Sequence, residues 1–317
     1  MNNTKEYNLE IIAGPCSITT ENAEEIINEI APITTSDGKR AIYGTRVVGL
    51  KSRTGMTPDG KGMGIDFDMI HEVFDLSRAE RNKRKLPSQV LAEKIVEKTD
   101  MIIATEIMIP HLQLPFFENS EILKGKMMIW NPAVEQLGWN ALEMSHYAIR
   151  NDWELGLKHG KFLGKDTLEV TNQPDYQEET SLEKTIIGMT TFTNGKKDDL
   201  ILIHRGVDVP GRGNYRNALI HEVMKRLKAK VPGSRLYFDP SHSFGPKMRH
   251  QIVDGIIEAM HLKTATGFLY DGLLIEAGTS PTDADQHITI AELNDVVQQL
   301  SKFRKLRAPQ EASLRGE

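Results

Sequence analysis

Eight short apolar runs punctuate this chain, each closing on glycine or polar residues and most leading into a stretch of helical periodicity. That alternation is the mark of a parallel β-sheet wrapped by helices. The runs are Leu9–Ala13, Ala41–Leu50, Met101–Glu106, Met127–Trp130, Trp153–Leu157, Leu200–His204, Arg235–Phe238 and Gly272–Ile275. Between them, Asn22–Ile30 gathers Ala23, Ile26, Ile27 and Ile30 on one face, and Asn217–Leu227 does the same with Leu219, Ile220, Val223, Met224 and Leu227. Spacing alone admits a doubly wound open sheet or a (β/α)₈ barrel. The residues at or just beyond the strand ends favour the barrel: Cys16, Lys51, Glu106, Asn131, Lys158, Arg205, His242 and Glu276. Seven of these are reactive or ionisable, and only a closed barrel gathers all eight ends on one rim around one pocket. The expected fold is therefore α/β, a (β/α)₈ TIM barrel.

A chain of 317 residues fits one such barrel with extensions, so residues 1–317 read as a single domain. Two segments fall outside the βα frame, a polar loop at Gly164–Thr180 over the pocket side and a charged, frayed tail at Lys302–Glu317. The basic stretch Asp75–Lys85 reads as a solvated segment before a helix at Ser88–Lys98. With 39 basic against 44 acidic residues, there is no global positive field to hold nucleic acid or an anionic membrane. One cysteine excludes an intramolecular disulfide and a cysteine-rich zinc cage, which suits a reducing cytosol. No run of 18 apolar residues occurs, and Met1–Glu10 lacks an apolar leader core, so the expected location is cytoplasmic.

Arg46, Lys51, Arg53, Lys158 and Arg205 all fall in or just after strands, where an unpaired cation is expensive to bury. Together they suit a dianionic, phosphorylated small molecule, arginine as a fork and lysine as a point charge. On the neighbouring strands one, seven and eight stand Cys16, His242 and Glu276, followed by Asp283 and Asp285. Thiolate, imidazole and carboxylate suit Mn²⁺, Fe²⁺, Co²⁺ or Zn²⁺ rather than Ca²⁺ or Mg²⁺. A metal beside a phosphate pocket implies carbonyl polarisation or water activation, with Lys51 or Lys158 moving a proton. Schiff-base formation is the competing role for either lysine. His204 is placed either to donate a proton or to face the barrel wall.

Several of these residues sit in motifs: Ala13–Gly–Pro–Cys16–Ser17, Lys51–Ser–Arg53–Thr54, Thr105–Glu106, Gly156–Leu–Lys158–His–Gly160, His204–Arg205–Gly206, Tyr215–Arg216–Asn217, Asp239–Pro–Ser–His242 and Gly272–Leu–Leu–Ile–Glu276. In order and spacing they resemble the short 3-deoxy-7-phosphoheptulonate (DAHP) synthases over about residues 9–300. The resemblance implies a metal-dependent barrel that condenses phosphoenolpyruvate (PEP) with erythrose 4-phosphate and releases phosphate, the first step of the shikimate pathway. Carried over by motif, Cys16, His242, Glu276 and Asp283 would hold the metal, with Asp285 in reserve. Arg46, Lys51, Lys158 and Arg205 would hold PEP, with Glu106 lining the same pocket. Arg53 and Thr54 would take the aldose phosphate, and Lys51 would relay protons. The barrel's N-terminal face and the basic Arg78–Lys85 segment are the surfaces through which the resemblance implies a homo-oligomer. Two departures stand out. Trp130–Asn131–Pro132–Ala133 replaces a Gly-Ala-Arg segment whose arginine grips the PEP phosphate, leaving Lys161 as one possible substitute, and Gly55–Met–Thr–Pro–Asp–Gly–Lys61 replaces an aromatic-bearing loop. The alternatives are a 3-deoxy-octulosonate 8-phosphate synthase using arabinose 5-phosphate, and a sugar-phosphate-binding barrel without turnover.

Overall fold

The computed structural model describes residues 9–51, 64–131, 139–158, 167–191 and 200–309. Eight parallel strands close on themselves: β1 (Leu9–Gly14), β2 (Gly44–Arg46), β3 (Ile102–Glu106), β4 (Met127–Asn131), β5 (Glu154–Lys158), β6 (Leu200–His204), β7 (Arg235–Phe238) and β8 (Gly272–Glu276). Closure is the pairing of β1 with β8, in register from Glu10 opposite Gly272 to Gly14 opposite Glu276. The protein is a (β/α)₈ barrel, as the strand-end chemistry implies.

The period-two alternation of a strand sorts every residue inward or outward. Inside, Ile12, Ile102, Ala104, Met128, Ile201, Ile203, Tyr237 and Leu274 form a compact apolar plug, separate from the larger core between strands and helices. One step further along the same inward rows stand Arg46, Glu106, Trp130, Lys158, Asp239 and Glu276, all buried. The plug is thus the platform on which the charged layer rests. At the opposite end, Glu10 holds Arg235, Tyr237 and Arg307, while Glu154 binds Arg235 at 2.7 Å and accepts from Tyr43 at 3.1 Å. That polar floor has all its long side chains engaged with one another.

Several elements differ from expectation for identifiable reasons. The ladder of β2 covers only three residues, because Tyr43 and Val47 bond Ile11 and Ala104 singly and Ile18 bonds Val48 from the β1 loop. The first helix begins with a capping box between Thr19 and Asn22, then widens into a π turn at Ile26–Ile30. The helix expected at Asn217 starts only at His221, since Ala218 exchanges two backbone hydrogen bonds with Val207 and Asn217 N–H donates to Ser243. Gly206, at φ +75°, makes that exchange possible; a Cβ there would lie 2.5 Å from the Asn217 carbonyl. The helix at Pro87–Thr99 matches its expected span, and the basic segment before it is a short helix, Arg78–Arg81, with Arg84 paired to Glu72 on the surface.

The polar stretch 164–180 is described from residue 167 and contains a capped helical turn at Leu168–Thr171. Arg226 pairs with Glu183 and donates to the Thr171 carbonyl, tying the stretch to the helix His221–Lys230. Nor is the tail frayed up to Pro309. Leu306–Arg307 form β9, parallel to β1, and Arg307 joins the polar floor; the remaining residues of that call lie outside those described.

Close approach governs the base of the β2 loop. Asp66 accepts from Ser88 N–H at 2.9 Å and Ser88 Oγ–H at 2.5 Å, and its own N–H donates to Gly49. A methyl on Gly49 would overlap the Asp66 carboxylate and lie 2.5 Å from Ser88 Oγ. Gly49→Ala is therefore expected to lose about 2–3 kcal/mol of stability in urea unfolding, within the usual range for overpacking.

Candidate active site

At the C-terminal mouth of the barrel the charged side chains form one continuous series. Lys158 Nζ lies 2.8 Å from Asp239 Oδ2, and His242 Nδ1 lies 2.9 Å from the same oxygen. His242 Nε2 stands 3.8 Å from Glu276 Oε1, which Arg46 Nη2 approaches to 3.2 Å. Arg46 Nη2 is also 3.8 Å from Glu106 Oε1, and Glu106 Oε2 is 3.8 Å from Lys51 Nζ. Lys51 donates to Cys16 Sγ at 2.9 Å and to the Cys16 carbonyl at 3.2 Å, while Cys16 Sγ–H donates to Asp283 Oδ2 at 3.5 Å. Eight residues named from sequence are brought together here: Cys16, Arg46, Lys51, Glu106, Lys158, His242, Glu276 and Asp283.

The remaining sequence candidates fall otherwise. Arg205 follows β6 on the inward row, its pKa lowered by burial against the attraction of Asp239. Asp285 is exposed. Arg53, Thr54 and Lys161 lie outside the described residues. His204 faces outward: its Nδ1 shares a hydrogen bond with Tyr270 Oη at 2.6 Å, and its Nε2 accepts from the Ile220 N–H at 3.3 Å. His221 Nδ1 meets the same phenol at 2.6 Å, so His204 belongs to a structural chain behind the wall and not to the mouth.

Protonation follows from burial and neighbours. Burial pushes the Cys16 thiol up to about 12, with Glu276 adding to the rise and Lys51 opposing it, so the thiol is protonated at neutral pH. His242 is pushed down to about 4 by burial, against Asp239, which leaves a neutral ring donating from Nδ1 to Asp239 and keeping its Nε2 lone pair. Burial also works against the charges of Glu276 and Arg46, yet their neighbours prevail: His242 and Arg46 hold Glu276 far below the usual carboxylate range, and Glu276 and Glu106 raise Arg46. For Lys158 burial wins over Asp239 and the pKa falls, whereas Lys51 is raised, because Glu106, Cys16 and Glu276 outweigh its burial.

Three residues that carry the site were not singled out from sequence. Asp239 was seen only as part of a motif, although it bridges Lys158 and His242. Trp130, read from sequence only as the first residue of a segment lacking the expected arginine, is fully buried, with Arg46 Cζ 5.6 Å and Lys158 Nζ 5.7 Å from its ring. His287, two residues past Asp285, was passed over; its Nε2 lies 3.9 Å from Glu276 Oε2. Ligand atoms of Cys16, Glu276 and His287 all fall within 4.8 Å of one another. Among the described residues, Arg46 Nη1 and Trp130 Nε1, both donors, and the ring nitrogen His287 Nε2 are buried without a hydrogen-bond partner. Two spare donors suit an anion's oxygens and a spare imidazole nitrogen suits a cation, so the residues present fit a divalent metal next to a bound anion.

The chain matches no protein-family model and no curated protein sequence. Among solved structures it resembles the phospho-2-dehydro-3-deoxyheptonate aldolase (DAHP synthase) of Thermotoga maritima, with TM-score 0.60 and 18% identity over 93% of this chain and 68% of that one. A truncated 3-deoxy-D-arabino-heptulosonate 7-phosphate synthase from the same organism gives TM-score 0.57 and 18% identity, covering 93% of this chain and 86% of that one. The fold is that of the DAHP synthases. At this identity the likeness to DAHP synthases is one of architecture, so the chemistry must be argued from the mouth itself.

The outward chain of His204, Tyr270 and His221 has a pH consequence. Burial holds His221 down at about 4 and His204 well below its ordinary value, so both are neutral in the folded protein but charge in the unfolded chain below about pH 6.5. The unfolded state then binds more protons, and stability falls as the pH drops from 6.5 toward 4. His221→Gln is expected to remove about 2 kcal/mol of that fall, read as the difference between urea unfolding at pH 7.5 and pH 4.5.

Proposed function

We propose that this protein is a metal-dependent synthase that condenses phosphoenolpyruvate with an aldose phosphate, erythrose 4-phosphate being the substrate the motifs favour. The observation that carries this reading is a buried cationic layer with spare donors, set directly beside a thiol, imidazole and carboxylate cluster. Arg46, Lys158 and Arg205 would bind the carboxylate and phosphate of PEP. Trp130 sets the spacing of Arg46 and Lys158 by presenting one ring to both. Pro132 and Ala133 of the segment that lacks the expected arginine lie outside the described residues, and affinity for PEP rests on the remaining cations; one charge-assisted contact is worth about 1.5–3 kcal/mol.

Cys16, His242 and Glu276 would hold the divalent ion. When bound, it supplies Lewis-acid polarisation of the aldehyde carbonyl. The chain's own residues do the rest. Glu106 stays ionised despite burial, because Lys51, Lys158 and Arg46 surround it, and so it fixes the positions of the cations it touches. Carbon 3 of PEP attacks the aldehyde carbon, and Lys51 Nζ, which already bonds Cys16, delivers a proton to the aldehyde oxygen. Water adds at C2 of PEP, and phosphate departs from the resulting tetrahedral centre. The buried plug of Ile12, Met128 and Leu274 closes the pocket from below, so water enters only from the mouth. A reducing, cytoplasmic setting suits a thiol that must stay unoxidised to bind metal. Among the described residues, no helix is long and apolar enough to cross a membrane.

The test follows PEP loss and phosphate release by metal-stripped protein with Mn²⁺, Co²⁺ or Zn²⁺ restored, offered erythrose 4-phosphate, arabinose 5-phosphate or no aldehyde. Metal-dependent turnover with erythrose 4-phosphate is expected; turnover only with arabinose 5-phosphate would reassign the aldehyde, and silence with both would overturn the reading. Cys16→Ala and His242→Ala should each abolish metal-dependent turnover with the fold retained by circular dichroism. Lys158→Met should raise KM for PEP about 10- to 100-fold while leaving KM for the aldose phosphate within about threefold.

A further inference from the structure

We propose that His287 Nε2, and not a carboxylate of Asp283, is the fourth metal ligand, giving a donor set of one thiolate, two imidazoles and one carboxylate. The inference rests on the metal-dependent reading above and specifies the centre within it.

The backbone places His287 firmly. Gly278 N–H donates to the Ile288 carbonyl at 3.1 Å and Ile288 N–H donates to the Glu276 carbonyl at 3.0 Å, so the segment carrying His287 runs locked beside the end of β8. Gly278 takes φ +79°, and its carbonyl accepts from His287 Nδ1–H at 3.0 Å. That bond fixes the tautomer: the proton sits on Nδ1 and the lone pair on Nε2. The Nε2 atom is buried, has no hydrogen-bond partner among the described residues and lies 3.9 Å from Glu276 Oε2, and His287 shares the 4.8 Å cluster with Cys16 Sγ and a Glu276 oxygen. His242 is prepared in the same way, with Nδ1 engaged by Asp239 and Nε2 turned to the other oxygen of Glu276. Gln286 donates to Glu276 Oε2, which steadies the carboxylate between the two rings.

Asp283 is set differently. It occupies a left-handed backbone conformation at φ +53° in the loop, is only half-buried, and meets the cluster by accepting from the Cys16 thiol. Its geometry is that of a partner to the sulfur. The charge count agrees, since one thiolate and one carboxylate already balance a divalent ion.

Exchanging a carboxylate for an imidazole moves the site away from Mn²⁺, which oxygen ligands suit, toward Zn²⁺, Co²⁺ and Fe²⁺. X-ray absorption at the zinc edge of the wild-type protein should show two imidazoles and one sulfur. Chelator competition should show His287→Ala losing about 100-fold in Zn²⁺ affinity, with Asp283→Asn within about threefold of wild type. His287→Asp should narrow the preference for Zn²⁺ over Mn²⁺ by about tenfold or more, and its Co²⁺ form should shift in visible absorption. A single imidazole in the zinc spectrum, or zinc affinity lost in Asp283→Asn and kept in His287→Ala, would overturn the assignment. Wild-type protein that takes up no divalent ion would overturn the metal-dependent reading itself, a separate result. Since the absorption experiment needs no substitution, misfolding of a His287 variant cannot mask the answer.

Discussion

Arg46 is the group around which the mouth of this barrel is organised. Its guanidinium is fully buried and cannot shed its proton, so the surrounding strands must supply negative charge at fixed positions. They do so from either side, Glu276 at 3.2 Å and Glu106 at 3.8 Å. Each carboxylate then serves a second cluster, Glu276 facing the two imidazoles and Glu106 facing Lys51. Taking away one member would leave the others as uncompensated buried charges, a loss of about 3–5 kcal/mol for a single broken pair. The carboxylate beside the imidazoles and the carboxylate beside Lys51 are therefore joined through one cation.

The layer of charge is affordable because the barrel is apolar immediately below it. Ile12, Ala104, Met128 and Leu274 fill the interior at mid-height, and Trp130 sits between them and the two cations it contacts. Its indole presents one flat negative face to both Arg46 and Lys158 and keeps its single N–H inside the pocket.

Much of this was legible in the chain itself, and for physical reasons. Strands buried on both faces are apolar throughout, so seven of the eight were located to within one residue, and the polar residue terminating each run marked the rim. Cys16, Lys51, Glu106, Lys158, His242 and Glu276 were found that way because each ends or follows a strand. His287 escaped because it follows a loop whose path back to β8 is set by hydrogen bonds between Gly278, Ile288 and Glu276, and no periodicity records such pairing. Trp130 was read only as part of a segment, Trp130–Ala133, that lacks the expected arginine; its contacts with Arg46 and Lys158 join three different strands. His204 was ambiguous because its direction depends on strand phase at the very end of β6, and the phenol that claims it lies on a segment just before β8. The β9 pairing of Leu306–Arg307 was hidden by a composition that reads as solvated tail.

Closure of the sheet joins β1 to β8, residues from nearly opposite ends of the described chain. Pairing over such a separation is slow to form, because the long intervening segment must first be gathered in. Until Gly272–Glu276 has been made, β1 has no partner on that side, and an open apolar edge is a template for any other strand nearby. Cys16 lies just past that edge. A group fully buried in the finished site thus stays exposed until the barrel closes, so its protection from oxidation and cross-pairing is decided by the speed of that closure.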